Sequence, residues 1–244
     1  MIVANSLPEG WEKALLYLHR NGIVIETEWG EKSIDAPLVL KILNPFAEPR
    51  VHLKGCICGF RGLKEYVREV LEGVQDWRVG RDWHYTYHER LFNYIPVFKQ
   101  DDTELERMAE YQSVNQIEYI ISKLRQAPFS RRAIAVTWKP WLDENTDSPP
   151  CLIYLWCRVV EGRLVMHVHM RSNDALKASF MNMYAYTELQ KYIAERLNVE
   201  AGYYLHIADS FHVYERDWKW FKAFIKQIES GESKKYWIPS SKLS

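Results

Sequence analysis

Cys151 is the residue in this chain whose surroundings best suit nucleophilic chemistry. It follows two prolines and precedes the apolar run LIYLWCRVV, which predicts a β-strand. Because proline cannot donate a hydrogen bond to a sheet, Pro149 and Pro150 fix where the strand begins. Cys151 is therefore expected at the rim of a sheet, where a thiolate can attack a ligand. Taken alone, the pattern also fits an ordinary buried thiol, the role that we assign to Cys157 in mid-strand.

A short turn is expected to bring an arginine to this cysteine. Segments 151–160 and 163–171 are separated by the two residues EG, and a two-residue loop with glycine predicts a β-hairpin. Counting back along both strands sets Cys151 opposite Ser172. A bulge at the strand end would bring Arg171 to the same place, where its charge would lower the pKa of the thiol and favour the thiolate.

Both helices and strands are predicted around these residues. Helical periodicity occurs in 10–22, 63–73, 103–126, 181–198 and 216–230, and strand patterns occur in 23–29, 50–60, 132–138, 151–160 and 163–171. Helices and strands do not alternate regularly, which predicts an α+β fold around a mixed sheet. No repeat or Gly/Ser linker interrupts residues 1–244, so we expect a single domain.

The composition excludes several classes of function. Lys and Arg total 32 and so do Asp and Glu, so no overall charge favours binding to nucleic acid or to a membrane. Cys56 and Cys58 are spaced as CxC and are interpreted as strand residues, with a metal site as the weaker alternative. No signal peptide or bilayer-spanning run is evident, and a cytoplasmic protein is expected.

Four segments in a fixed order resemble the thymidylate synthase superfamily. They are YTYHERLFNY (85–94), SRRAIAVTW (130–138), RSNDALKASFMNMYAYTELQ (171–190) and HIADSFHVYERDW (206–218), with PPC between the second and the third. The first segment and the compact length are similar to the archaeal-type branch. The resemblance implies a thymidylate synthase-like layered α+β sandwich around a large mixed sheet. It also implies a homodimer that packs sheet to sheet and shares its active sites between subunits.

The resemblance further implies a reaction, the reductive methylation of dUMP to dTMP. In it Cys151 would add to ring carbon 6 of the pyrimidine, so that carbon 5 can attack a one-carbon unit. A methylene-tetrahydropterin would supply both carbon and hydride, either methylene-tetrahydrofolate or a methanopterin analogue. No metal is implied.

The nucleotide phosphate requires planar, permanently charged donors. By resemblance, Arg171 and Ser172 bind the phosphate from their own subunit, and Arg131 and Arg132 reach it from the partner subunit. Without the resemblance, Arg131 and Arg132 would be interpreted as a solvated pair at a strand start. Lys32 is a weak candidate for the family's remaining phosphate arginine.

The base and the sugar are assigned to three further residues. Asn182 matches the asparagine that contacts a pyrimidine carbonyl and ring N–H, and helix capping is its alternative role. Asn at this position favours uracil, because the family's cytidylate enzymes carry Asp. His212 and Tyr214 match the pair that holds the sugar 3′-hydroxyl, although they also fit a half-buried strand pair. One extra residue precedes His212 relative to the family, so a different loop path is expected.

The remaining candidates concern the pterin and proton transfer. Asp174 matches the aspartate that hydrogen-bonds the pterin, and Trp83 is a candidate wall for it. Tyr87 resembles the tyrosine that supports proton removal at carbon 5. The family's catalytic glutamate falls between Glu65 and Tyr66 by spacing; we assign Glu65, with Glu69 as the alternative.

Two departures leave other functions open. Leu152 stands where the family commonly has histidine, and the terminal WIPSSKLS matches the family's closing tail poorly. A pyrimidine nucleotide hydroxymethylase acting on dCMP or dUMP is the first alternative, and a non-catalytic nucleotide-binding or regulatory protein is the second.

Overall fold

A mixed sheet forms the centre of the molecule. The computed structural model describes residues 1–95 and 113–243. The strands are β1 (Ile2–Ala4), β2 (Ile23–Glu26), β3 (Lys32–Ile42), β4 (Val51–His52), β5 (Ile134–Val136), β6 (Leu152–Val160), β7 (Arg163–Asp174), β8 (Glu200–Tyr214) and β9 (Trp237–Ile238). Within the described residues, seven strands form one sheet in the order β1-β3-β8-β7-β6-β5, with β2 beside β3. Since β7 and β8 are parallel while β6–β7 and β3–β8 are antiparallel, the predicted α+β fold with a mixed sheet is confirmed.

Five helices lie where the periodicity predicted them, and two short helices, over 87–92 and 140–143, were not predicted. They are α1 (Leu7–Asn21), α2 (Gly59–Glu72), α3 (Tyr87–Phe92), α4 (Gln116–Gln126), α5 (Pro140–Asp143), α6 (Ser179–Leu197) and α7 (Trp218–Glu229). The helix expected within 103–126 is confirmed over α4, which begins where the Asn115 side chain accepts the N–H of Glu118. Residues 103–112 lie outside the described residues. Among the described helices, none combines the length and the apolarity needed to cross a bilayer.

The two faces of the sheet differ in character. Along β7 the side chains alternate, and those of one face are fully buried: Leu164, Met166, Val168 and Met170. The helix α6 packs against β7 and β8 and is buried over most of its length. On the other face, half-buried rings adjoin one another, with Trp156 at 4.8 Å from His167 and His167 at 5.6 Å from Tyr203 between centroids. That second face is therefore aromatic and only partly covered.

The strand predicted over 50–60 is wrong for most of its length. Only Val51 and His52 are extended, and the carbonyl of His52 then accepts hydrogen bonds from the N–H groups of Gly55 and Cys56. These bonds turn the chain toward α2, so Cys56 is buried next to a turn and Cys58 precedes the helix. Of the residues that suggested a strand, Phe60 packs against the core from the first turn of α2, whereas Ile57 is exposed.

Two long strands were not predicted. β3 contains Pro37, which lowers strand propensity, but the proline falls where pairing with β8 is interrupted by a register shift between Ala36 and Leu38. At this shift β8 carries the additional residue, so a bulge in β8 lies just before His212. The different loop path expected before His212 is therefore wrong, because the chain there is a continuous strand with a bulge.

A buried ionic network joins α3 to the segment that leads into β6. The guanidinium of Arg90 donates two hydrogen bonds of 2.9 Å to the carboxylate of Asp143 and one of 2.9 Å to the carbonyl of Thr137. Lys139 donates to Glu89 at 2.9 Å. Removal of one partner from such a buried network costs roughly 3–5 kcal/mol, because a charge is left unpaired. The network fixes α3, whose first residue is Tyr87.

Candidate active site

Cys151 lies immediately before β6, at the rim of the sheet as expected. The hairpin is confirmed: Val160 pairs with Arg163, and the loop residues Glu161 and Gly162 both have positive φ, as a type I′ turn requires. The predicted register holds as far as Tyr154 opposite His169 and then shifts by one residue. The pairing of Cys151 with Ser172 is therefore wrong, and the carbonyl of Cys151 accepts the N–H of Arg171 at 2.8 Å.

The register shift is the bulge that was expected, and it lies on β6. Ile153 is the additional residue, and its carbonyl accepts the N–H of Thr137 at 2.9 Å. The bulge turns the end of the strand so that Arg171 Nη2 lies 3.9 Å from the Sγ of Cys151. The thiol and the guanidinium are thus brought together as the sequence predicted, although through a different pair of strand residues.

Arg171 also binds the backbone of the two prolines before the cysteine. Its Nε donates to the carbonyl of Pro150 at 3.0 Å, and its Nη2 donates to that of Pro149 at 2.8 Å. The guanidinium therefore fixes the turn that presents Cys151. Burial raises the pKa of the Cys151 thiol, and Arg171 offsets only part of that rise. A lowered pKa was expected, and the expectation is wrong for the single chain because burial outweighs one arginine.

A cavity of about 390 Å³ lies above the thiol and collects most of the predicted site residues. Those that line it are Tyr87, Cys151, Ser172, Asp174, Asn182, His212 and Tyr214. A neighbouring cavity of about 760 Å³ is lined by Arg171 and shares Cys151, Ser172 and Tyr214 with the first. Residues from α3, β7, α6 and β8 thus converge on one place, together with Cys151 just before β6. In the described part of the chain, no group of three or more His, Cys, Asp and Glu residues is placed to hold a metal ion.

Asn182 lies one turn into α6 and is buried. Its backbone N–H donates to Ala178 within the helix at 2.8 Å, so its side chain is not the cap of this helix. Its Oδ1 instead accepts a hydrogen bond of 2.5 Å from the hydroxyl of Tyr66 on α2. Capping is therefore excluded as the role of Asn182, and its amide is left to face the cavity.

His212 and Tyr214 leave β8 on the side of the cavity. Their rings meet edge to face at 4.8 Å between centroids, and His212 Nδ1 lies 3.2 Å from the hydroxyl of Ser210. That hydroxyl in turn donates to Asp35 on β3. Two residues of one strand at i and i+2 share a face, so both rings border the same space.

Asp174 and Tyr87 form the remaining walls near the thiol. Oδ1 of Asp174 accepts the N–H groups of Leu176 at 3.0 Å and Lys177 at 2.8 Å, which fixes the carboxylate at the turn before α6. The hydroxyl of Tyr87 accepts the N–H of Leu152 at 3.4 Å, beside the cysteine. Burial raises the pKa of Tyr87 well above its usual value, so this phenol remains protonated.

A third cavity, of about 450 Å³, adjoins the first through Tyr87 and is lined by Glu69 and Trp83. Burial and then the carboxylate of Asp76 raise the pKa of Glu69 to about 7. Glu65 is exposed and accepts a hydrogen bond of 3.4 Å from Gln75, away from these cavities. The geometry thus favours Glu69 over Glu65, because only Glu69 is turned inward on α2.

Three predicted residues lie apart from the cavities in the single chain. Arg131 and Arg132 are exposed, and their carbonyls accept hydrogen bonds from Trp156 and Tyr119. Lys32 is exposed and lies 3.8 Å from Glu26. None of the three lines the cavities around Cys151. The guanidinium of Arg78 covers the ring of Trp83 at 4.2 Å, so one face of that tryptophan is already in contact.

The chain's end packs away from Cys151. The N–H of Ser240 donates to Glu48 at 3.0 Å, and Ser240 and Leu243 line a cavity between α2 and α6 beside Arg50. β9 pairs with β4 and leads into this segment.

Tyr66 was missed as a site residue. It lines the cavity together with Cys151 and Asn182. The signal for it was helical spacing: the fully buried residues of α2 are Leu63 and Val70, and position 66 lies on the same face. Glu65 lies about 100° away around the helix and is turned to solvent.

Comparison with known proteins agrees with this geometry. A family model described as thymidylate synthase matches residues 17–243. A relative from Methanosarcina acetivorans named "Putative thymidylate synthase" is 30% identical over 229 residues, which span 93% of this chain and 95% of the relative. A relative of the same name from Methanocaldococcus jannaschii is 32% identical over 229 residues, which span 91% and 94%. A thymidylate synthase from Bacillus licheniformis is 32% identical over 132 residues, which span 54% and 47%. The archaeal-type resemblance is confirmed, and the chain belongs to the thymidylate synthase family of methyltransferase enzymes.

Proposed function

We propose that this enzyme converts dUMP to dTMP with a methylene-tetrahydropterin, through a covalent bond between Cys151 and the pyrimidine. The observation that carries the proposal is the convergence of Cys151 and Asn182 with the His212–Tyr214 pair on one cavity. Its volume of about 390 Å³ suits a mononucleotide ligand, and the larger cavity beside it leaves room for the phosphate.

The residues have distinct tasks in this proposal. Cys151 attacks ring carbon 6, and the negative charge that develops in the ring is spread toward the carbonyl next to Asn182. The Tyr87 hydroxyl lies next to the thiol and supports loss of the proton from carbon 5. His212 and Tyr214 hold the sugar hydroxyl. Leu152, at the position after the nucleophile, is fully buried and supplies packing only.

The phosphate is assigned to Arg171 and Ser172, together with Arg131 and Arg132 of the partner subunit. The aromatic second face of the sheet, half-buried in the single chain, supports a homodimer that packs sheet to sheet. Such packing would bring Arg131 and Arg132 of the partner subunit toward Cys151, and their charge would favour the thiolate form of the thiol.

The pterin is assigned to the third cavity, which adjoins the nucleotide cavity. Trp83 and Glu69 line this third cavity, and Asp174 offers a fixed carboxylate in the nucleotide cavity. The bound pterin would supply the one-carbon unit and the hydride. Folate and methanopterin forms share the ring that these residues would contact, and either fits this donor set.

We also propose that residues 1–244 form one catalytic domain and that the protein is cytoplasmic. A single sheet that takes strands from Ile2 to Tyr214 supports the first proposal. The free thiols of Cys151, Cys157 and Cys56 suit a reducing compartment, which supports the second.

The test of the function is release of tritium from carbon 5 of labelled dUMP. We expect release from dUMP with methylene-tetrahydrofolate or its methanopterin counterpart, little release from dCMP, and a product with the mass of dTMP. A hydroxymethylated product would instead identify a hydroxymethylase. Tight binding of dUMP without release under all conditions would identify a nucleotide-binding protein and contradict the proposal.

Glu69 gives a pH-dependent prediction. Because its pKa is raised to about 7, the folded protein binds a proton that the unfolded chain has lost, so the free energy of unfolding should fall as pH rises from about 4.5 to about 7. Glu69→Gln should remove this fall, and it should also remove the ionisation near neutral pH from the profile of kcat. Urea unfolding and turnover measured across this range check both effects.

Glu65→Gln is the matched control, because Glu65 lies on the same helix but is exposed. It should keep the fall in stability and the ionisation in the kcat profile and move both only slightly toward lower pH, because the Glu65 carboxylate is the smallest of the causes that raise the pKa of Glu69. A kcat profile that changes with Glu65→Gln and not with Glu69→Gln would restore Glu65 as the catalytic glutamate.

A further inference from the structure

Tyr66 reaches the nucleotide cavity from the inner face of α2, which packs against α6. Its hydroxyl donates to Oδ1 of Asn182 at 2.5 Å, and this contact joins two helices that are far apart in sequence. The proposed reaction does not require a phenol at this point. The contact nevertheless involves the side chain to which base recognition has been assigned.

Tyr66 is a donor at every relevant pH. Burial raises the pKa of its hydroxyl well above the usual value, and the hydroxyl of Tyr186 offsets part of this rise. The phenol therefore keeps its proton and seeks an acceptor. Asn182 offers one acceptor, Oδ1, and one non-acceptor, Nδ2, so the contact distinguishes the two orientations of the amide.

The amide has little other freedom. Asn182 is held in α6 by its backbone hydrogen bond to Ala178, and the residue is only 6% exposed. With Oδ1 turned to Tyr66, the amide nitrogen has no hydrogen-bond partner among residues 1–95 and 113–243 and is left for a ligand. Its two N–H groups match a ring carbonyl, and the second lone pair of Oδ1 matches a ring N–H.

Uracil presents a carbonyl and a ring N–H along one edge, whereas cytosine presents an amino group and an unprotonated ring nitrogen there. Cytosine would need the amide reversed, and the Tyr66 hydroxyl would then lose Oδ1 as the acceptor of its proton and meet an amide N–H group instead. We propose that Tyr66 is a positioning residue that selects uracil by holding the Asn182 amide in one orientation. The proposal rests on the proposed function, because it assigns a pyrimidine nucleotide to this cavity.

The test is the ratio of dissociation constants for dCMP and dUMP, measured by competition at equilibrium without the pterin. Tyr66→Phe should reduce the ratio about tenfold, mainly by tighter relative binding of dCMP, because reversal of the amide no longer costs a hydrogen bond. Tyr66→Met, which also lacks the hydroxyl, should give the same change. Thermal unfolding confirms that each variant is folded.

Two control variants show that the ratio responds to altered base choice and that the loss of a different hydroxyl does not change it. Asn182→Asp should shift the ratio toward dCMP and shows that the assay detects altered base choice. Tyr85→Phe removes a hydroxyl that lies near Cys151 but does not contact Asn182, and it should leave the ratio unchanged. An equal loss of affinity for both nucleotides in folded Tyr66→Phe and Tyr66→Met would show a packing role only and overturn the inference. Failure of the wild type to bind dUMP would overturn the proposed function instead.

Discussion

Cys151→Ala is expected to abolish turnover while the protein still binds dUMP. The alanine keeps the cavity and its polar walls but removes the one atom that can bond to ring carbon 6, so the covalent route is closed. Loss of a nucleophile that acts in concert with its neighbours costs several orders of magnitude in kcat. Wild-type protein with 5-fluoro-dUMP and the methylene-pterin should give a stable adduct, and the variant should give none. Mass spectrometry of the intact protein and of its peptides checks both statements.

Cys58 supplies the matched control. It is an exposed free thiol that lines the same cavity, but it precedes α2 and lacks the arginine contact. Cys58→Ala should still form the adduct at Cys151. An adduct mapped to Cys58, or normal turnover by Cys151→Ala, would contradict the assignment of the nucleophile.

The raised pKa of Cys151 bears on how the nucleophile is activated. In the single chain, burial outweighs the charge of Arg171, whose guanidinium is also engaged by the carbonyls of Pro149 and Pro150. Additional positive charge is needed to favour the thiolate. A bound phosphate is negative and cannot supply this positive charge. In the proposed dimer, Arg131 and Arg132 of the second subunit would supply it.

The hairpin shows how much of the site the sequence could predict. A two-residue loop with glycine determines a register locally, so the pairing from Val160 to Tyr154 followed from counting. The bulge at Ile153 could not be placed in the same way, because it depends on a hydrogen bond from Thr137, just after β5. The sequence therefore brought the thiol and the arginine together but misplaced the pairing by one residue.

The preference for Glu65 over Glu69 rested on spacing along the chain, whereas the cavity selects residues by their direction around α2. Leu63, Tyr66 and Val70 define the inner face of that helix, and Glu69 lies next to it. A periodicity argument within 63–73 would have favoured Glu69. By contrast, the turn at 53–58 and the length of β3 depend on tertiary contacts that no local pattern contains.

Subunit complementation is the second prediction with a large expected effect. Arg131 and Arg132 are exposed in the single chain and line none of the cavities around Cys151. Charged donors of this kind would bind the phosphate of the proposed substrate. If these arginines act in the partner's site, each active site takes its cysteine from one subunit and two arginines from the other. A homodimer of Cys151→Ala and a homodimer of Arg131→Ala/Arg132→Ala should each be nearly inactive.

Mixed dimers should then recover activity. When equal amounts of the two variants are unfolded together and refolded, random pairing makes about half of the dimers mixed. In each mixed dimer one site carries both defects, and the other combines an intact Cys151 with intact arginines, so about a quarter of the wild-type activity should return. Each variant refolded alone is the control and should stay inactive, because solvent cannot replace charge-assisted contacts to phosphate. Mixed dimers that are verified by mass and yet show no recovery would mean that the arginines act within their own subunit or not at all, and the shared-site arrangement would be wrong.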